Sequence, residues 1–157
     1  MLPISIKQVM TTAVVFVHPE TPLIEAAQLI ADRGLNGVPV VDKTGILVGI
    51  VTEYNLISKG SALHLPTLQA VLADLPVIAR DKSEFSKDVQ GITSLLVKDV
   101  MDVTPLTLSD TATFEEAVKM FVEHHRVNPI PVIDSNRKVV GVVSRYDVLK
   151  PLSNLGT

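Results

Sequence analysis

The chain twice writes a glycine, two branched aliphatics and a hydroxyl residue that lead into a tyrosine and an acid or its amide. Gly49-Ile50-Val51-Thr52-Glu53-Tyr54-Asn55 and Gly141-Val142-Val143-Ser144-Arg145-Tyr146-Asp147 stand 92 positions apart. An apolar run that hands over to a helix at Ser or Thr exposes unpaired N–H groups and the positive end of the helix dipole, which attract phosphate. The hydroxyl can add a hydrogen bond, and a carboxylate one turn in can accept two from a cis-diol such as ribose. The same spacing also describes a cap that serves its own helix. Both readings stay open for one copy; two copies in register favour a site.

Other chemistry finds little support. His124-His125, with His18 and His64 elsewhere, could suggest a metal, but adjacent helical histidines diverge and no third ligand stands at a recognisable spacing. No Ser-His-Asp order, close carboxylate pair, phosphate-cradling Walker loop or Gly-x-Gly-x-x-Gly is present. We therefore expect no catalytic residue, no metal and no cofactor. Tyr54 and Tyr146 are read as packing against one side of their helix, hydroxyl at the edge.

The elements that must position these residues repeat as well. Asn36 to Leu56 and Asn128 to Val148 share eight of 21 positions. Upstream the offset is 91: Ile6-Lys7-Gln8-Val9-Met10 matches Val97-Lys98-Asp99-Val100-Met101. One extra residue, in His124-His125-Arg126 against Arg33-Gly34, makes the step to 92. Two units of roughly 50 residues predict an internally symmetric fold with two equivalent clefts. In each unit a short apolar stretch (Val14 to Val17, Leu106 to Leu108) reads as a first strand. A helix follows, with Leu23, Ala26, Ala27 and Ile30, or Phe114, Ala117, Val118 and Phe121, on one face. Gly34 suits the left-handed turn that closes the first helix. Then come two strands joined by a turn, Val38 to Asp42 and Ile46 to Val51, repeated as Ile130 to Asp134 and Lys138 to Val143. A last helix starts at Thr52 or Ser144. We divide the chain into a first repeat over 1–60, an insertion over 61–96, a second repeat over 97–150 and a tail over 151–157. The insertion predicts one amphipathic helix, carrying Leu68, Val71, Leu72 and Leu75, and a charged loop over Arg80 to Lys87.

At 157 residues and 46% hydrophobic content, dominated by Val, Ile and Leu, the chain can build one shared aliphatic core. A net charge of -3 without a Lys/Arg cluster gives no reason to expect nucleic acid. Without cysteine, the protein needs neither disulfides nor thiolate-bound metal. No signal-peptide layout opens the chain and no apolar run is long enough to span a bilayer. The expectation is a cytoplasmic protein with no membrane partner.

On these motifs the chain resembles a tandem pair of cystathionine-β-synthase (CBS) domains, the arrangement called a Bateman module. The match rests on Val9-Met10 and Val100-Met101, on Gly37-Val38-Pro39-Val40-Val41-Asp42 and Pro129-Ile130-Pro131-Val132-Ile133-Asp134, and on the two Gly-h-h-[Ser/Thr]-x-x-[Asp/Asn] junctions. The resemblance implies an α+β fold of two β-α-β-β-α repeats packed through their sheets about a pseudo-twofold axis. It implies a regulatory or sensor module that dimerises and binds an adenosine-containing ligand (AMP, ADP, ATP or S-adenosylmethionine) between the repeats, and that signals to a separate, unidentified protein. The rival expectation is a structural dimerisation module whose clefts are filled by side chains.

Carried over residue by residue, the resemblance implies a main cleft built from Val142, Ser144 and Asp147 with Thr11, Thr12 and Val14. Leu35, Asn36, Gly37 and Val38 complete it, and Arg126 and Arg145 are its candidate phosphate partners. A second cleft combines Ile50, Thr52 and Asn55 with Asp102, Thr104 and Pro105, and with Val127, Asn128 and Pro129. It is expected to be the weaker, because Asn55 stands where the acid would, and Asp102 stands where the first cleft has Thr11. A charge-assisted hydrogen bond is worth roughly 1.5–3 kcal/mol against about 1 kcal/mol for a neutral one, a deficit that reaches about tenfold or more in affinity.

Overall fold

The computed structural model describes residues 2–58 and 94–153. The helix and charged loop expected in the insertion lie outside the described residues, as does the end of the tail. In the first repeat, a 3-10 turn over Ile6–Gln8 precedes helix α1 (Leu23–Asp32), strands β1 (Gly37–Val41) and β2 (Leu47–Thr52), and helix α2 (Glu53–Ser58). The second repeat runs α3 (Val97–Val100), β3 (Leu108–Ser109), α4 (Phe114–Glu123), β4 (Ile130–Ile133), β5 (Val139–Val143) and α5 (Arg145–Ser153). β1 pairs antiparallel with β2, β4 antiparallel with β5, and β3 parallel with β4. The fold is mixed α+β, as expected.

The expected first strands shrink. In the first repeat only Val17 bridges Val40, and in the second the strand lies at Leu108–Ser109 rather than Leu106 to Leu108. Only the end of each stretch reaches a neighbouring backbone. Before it, the chain bridges the other repeat's last strand, Thr11 to Val142 and Asp102 to Ile50.

Helix α1 buries Leu23, Ala26, Ala27 and Ile30, the face that the 3.6-residue period predicts. It ends in a Schellman motif: Gly34 has φ +60 and donates to the Ala31 carbonyl, and Leu35 donates to the Ile30 carbonyl. α4 opens with a capping box, Thr113 Oγ1 accepting from Glu116 N and the Glu116 carboxylate from Thr113 N. It ends without a glycine, at His124. The hairpin turns are Asx-turns. The Asp42 carboxylate accepts from Thr44 N, Thr44 Oγ1 and Ile46 N, and Asp134 from Asn136 N and Lys138 N.

The two repeats exchange their openings. Ile6 and its neighbours Val9 and Met10 join the core of the second repeat, against Leu108, Ala117, Phe121 and Ile130. Val97, Val100 and Met101 join that of the first, against Leu23, Ala26, Val38 and Val51. Ile6 N donates to the Ala112 carbonyl and Phe114 N to that of Ile4; Val97 N donates to the Thr21 carbonyl and Leu23 N to that of Leu95. The same symmetry joins the hairpins, where Ile46 bridges Lys138. These paired contacts define the pseudo-twofold axis. Ile6 and Val97 are fully buried, and each contributes on the order of 1.5–3 kcal/mol to a core that its own repeat does not supply.

Candidate functional site

Each opening crosses the other repeat's last strand and leaves a cleft beside it. Thr11 bridges Val142 through both N–H···O bonds, at 2.9 and 3.0 Å, and Asp102 bridges Ile50 at 2.9 and 3.0 Å. The crossing needs glycine on the strand. A Cβ on Gly141 would stand 2.6 Å from Met10 Sδ, and one on Gly49 would stand 2.7 Å from the Asp102 carbonyl and 2.8 Å from Met101 Sδ. The Val-Met opening and the junction glycine are thus two halves of one contact.

The Ser144 cleft has a cavity volume of about 260 Å³ and the Thr52 cleft about 160 Å³. In the first, Thr11, Leu35, Asn36 and Gly37 face Val142, Ser144 and Asp147. In the second, Ile50, Thr52 and Asn55 face Asp102, Pro105, Val127 and Asn128. Pro129, which follows a cis peptide bond, lines both.

Both junctions cap their helices. Ser144 N and Oγ donate to Asp147 Oδ2 at 2.9 and 3.0 Å, and Asp147 N donates back to Ser144 Oγ at 3.2 Å. Thr52 N and Oγ1 donate to Asn55 Oδ1 at 3.0 and 2.8 Å, and Asn55 N donates back to Thr52 Oγ1. The cap and the cleft are therefore one constellation rather than rival readings. Asp147 is 3% exposed, and its second oxygen, Oδ1, accepts from Lys150 Nζ at 2.6 Å and Thr11 Oγ1 at 3.5 Å. The ammonium also lies over the Tyr146 ring, 5.6 Å from its centre. The acid that faces this cleft comes with its own cation.

Several expected residues stand elsewhere. Thr11, Ala13 and Val15 line the Ser144 cleft, while Thr12 and Val14 do not, because the chain bends at Ala13, where the Val14 N–H donates to the Thr12 carbonyl at 2.9 Å. Along strand β1 side chains alternate, so Gly37 and Pro39 line it and Val38 is fully buried in the core. Thr104 is taken up in a turn, its N–H and hydroxyl donating to Asp102 Oδ1 at 3.0 and 3.3 Å; Pro105 and Leu106 line the Thr52 cleft instead. Arg126 lines the Thr52 cleft and not the Ser144 cleft, because it belongs to the same loop as Val127 and Asn128. Its Nη1 donates to Tyr54 Oη at 2.7 Å and its guanidinium lies over that ring. Arg145 turns away from either cleft to the His124 and His125 carbonyls and the face of Phe121.

Sequence reading missed Tyr54 and Tyr146 as lining residues. They do not pack down on their helices: they are 43% and 71% exposed, at the mouths of the two clefts. Their identical place in both junctions was the available signal. Ala13, Val15 and Gly34 carry none beyond their offset from Thr11 and Leu35. Among the described residues, no helix is long and apolar enough to cross a membrane.

Comparison with known proteins matches this geometry to a family. The family model for the CBS domain fits residues 6–61 and again 97–154. The chain is 27% identical over 135 residues to the CBS domain-containing protein CBSX2, chloroplastic, of Arabidopsis thaliana, covering 85% of this chain and 56% of that protein. It therefore spans little more than half the length of that relative. It is 29% identical to the Methanocaldococcus jannaschii protein MJ1426, covering 94% of this chain and 90% of that one. Among solved structures, that of CBSX2 in complex with AMP superposes with a TM-score of 0.71 at 24% identity, over 98% of this chain and 99% of the other. The CBS domain pair of protein MJ0100, in complex with 5-methylthioadenosine and S-adenosyl-L-methionine, gives 0.70 at 19%, over 98% and 99%. These structural likenesses show a common fold, and the family match covers both repeats in order. The chain belongs to the CBS domain family, as a tandem pair.

Proposed function

We propose that the protein is a regulatory module that binds an adenosine-containing ligand in the Ser144 cleft. The observation that supports this best is Asp147, a buried carboxylate whose Oδ2 holds the helix cap while Oδ1 lies beside Thr11 in an open cleft. A ribose diol would donate to Oδ1 in competition with Lys150, and the freed ammonium would meet any phosphate that follows. The base would lie between the openings, against Val15, Leu35 and Pro39. The AMP and S-adenosyl-L-methionine complexes of the two relatives add weight to an adenosine ligand. A ligand that favours one arrangement of the repeats shifts its population, and a separate partner protein reads the shift. The protein acts as a cytoplasmic homodimer in this reading, and not as an enzyme.

The test is thermal shift and calorimetry with AMP, ADP, ATP and S-adenosylmethionine, since binding to the native state raises the apparent melting temperature. Asp147→Asn is the informative variant, because Asn55 shows that an amide serves the cap. We expect ligand affinity to fall about tenfold with the melting temperature of the free protein nearly kept. Ligand binding unchanged by Asp147→Asn would remove the acid from the site. No stabilisation by any ligand would leave the purely structural module as the better reading.

A further inference from the structure

The two clefts differ most at one register position: where the Ser144 cleft has Gly34, the Thr52 cleft has Arg126. We propose that Arg126 makes the Thr52 cleft a phosphate-dependent nucleotide site, while the Ser144 cleft takes the nucleoside with or without phosphate. This rests on the adenosine reading above and assigns each cleft its ligand class.

Three observations carry it. The guanidinium is exposed at the cleft, and among the described residues its hydrogen-bonded partner there is neutral, the Tyr54 hydroxyl at 2.7 Å. Its centre lies 5.3 Å from the Tyr54 ring centre, and with only Nη1 engaged by the hydroxyl, further N–H donors are left for an anion. None of the ion pairs among the described residues includes Arg126. Second, Asn55 supplies no anionic acceptor for a ribose, and its single carbonyl oxygen already accepts two cap bonds. A nucleoside alone is therefore poorly held, and a phosphate on Arg126 supplies the missing charged contact. Third, the Ser144 cleft has the reverse balance. Its acid is present and already holds the nearby cation, Lys150, in an ion pair at 2.6 Å, Gly34 offers no second cation, and Arg145 is committed to the carbonyls at the end of α4. Asp102 also lines the Thr52 cleft, with Oδ1 accepting from Thr104. Its charge raises the dependence on Arg126, because an anion meets Asp102 unless the guanidinium offsets it.

The test is calorimetry of adenosine and AMP on the intact protein and on Arg126→Met, Arg126→Lys and Asp147→Asn, with crystals soaked in AMP to assign the clefts. We expect adenosine to fill one site and AMP two. Arg126→Met should weaken the second AMP site about tenfold or more and leave adenosine binding as it was, which also shows that the variant is folded. Arg126→Lys should recover part of the loss, and salt should weaken the second site most. Asp147→Asn should instead weaken adenosine and spare one AMP site. Two AMP sites of unchanged affinity in Arg126→Met, or adenosine filling both clefts of the wild type, would overturn the assignment alone. Failure of both ligands to bind the wild type would overturn the adenosine reading and this proposal with it.

Discussion

At the residue scale, Asp147 and Asn55 show how one position can be changed without breaking the cap it makes. Both accept from the hydroxyl and backbone N–H three residues earlier. The carboxylate has Lys150 within 2.6 Å, whereas position 58, in register with it, is serine. Asn55→Asp would therefore bury a charge without the adjacent ammonium that Lys150 gives Asp147, at a cost of about 1–3 kcal/mol. We expect a lower melting temperature at neutral pH, recovered in part by adding Ser58→Lys. A melting temperature unchanged by Asn55→Asp would show that the pocket itself solvates the acid. Asp42 gives a second prediction. Hydrogen bonds from the Thr44 hydroxyl, Ile46 N–H and Thr44 N–H hold its carboxyl below the ordinary value of 3.8. Its contribution to stability is whole above the unfolded value and is lost as pH falls through the lower folded one. Asp42→Asn should flatten that acid limb in melting curves taken from pH 5 downward. An acid limb as steep as the wild type's would show that other carboxylates set it.

At the scale of elements, the crossing of each opening over a glycine should be the least tolerant contact in the fold. An added methyl at Gly141 meets chiefly the flexible end of Met10, with the Thr11 carbonyl at 3.2 Å, while at Gly49 it stands 2.7 Å from the Asp102 backbone carbonyl. Overpacking costs about 1–3 kcal/mol, and rigid neighbours push it to the upper end. We expect Gly49→Ala to be more destabilising than Gly141→Ala in urea unfolding; the reverse order would mean that the opening slides. The helix faces and hairpins were legible because burial imposes period: Leu23, Ala26, Ala27 and Ile30 are on the face the spacing gives. Site residues in the irregular stretches between elements were legible only to within one position. Thr12 and Val14 were chosen where Ala13 and Val15 line the cleft, since no polar alternation marks which side faces out. Arg126 and Arg145 were misplaced for a different reason. Charge in the sequence says nothing of which cleft a loop serves, or that Arg145 is held by backbone carbonyls.

At the scale of the molecule, two small cores share one chain, and an apolar groove of about 400 Å³ lies between α4 and α5, lined by Val118, Phe121, Val122, Val148 and Leu149. Val122, Leu149 and Leu152 are more than half exposed. Such a face supports the homodimer proposed above. Light scattering at micromolar concentration should give twice the chain mass of 17.0 kDa; a clean monomer would remove the dimer from the reading. Val122→Lys should shift the equilibrium toward monomer if this face is the contact.

The exchanged openings carry one more consequence. Ile6 completes the core that holds Phe121, and Val97 the core that holds Ile30, so the unit that repeats in the sequence is not the unit that packs. A single repeat could complete its core only by lending its opening to an identical copy and borrowing that copy's in return. In one chain the same exchange proceeds at the effective concentration that the covalent tether sets. Joining two copies end to end thus turns an association that dilution would undo into one that dilution leaves intact.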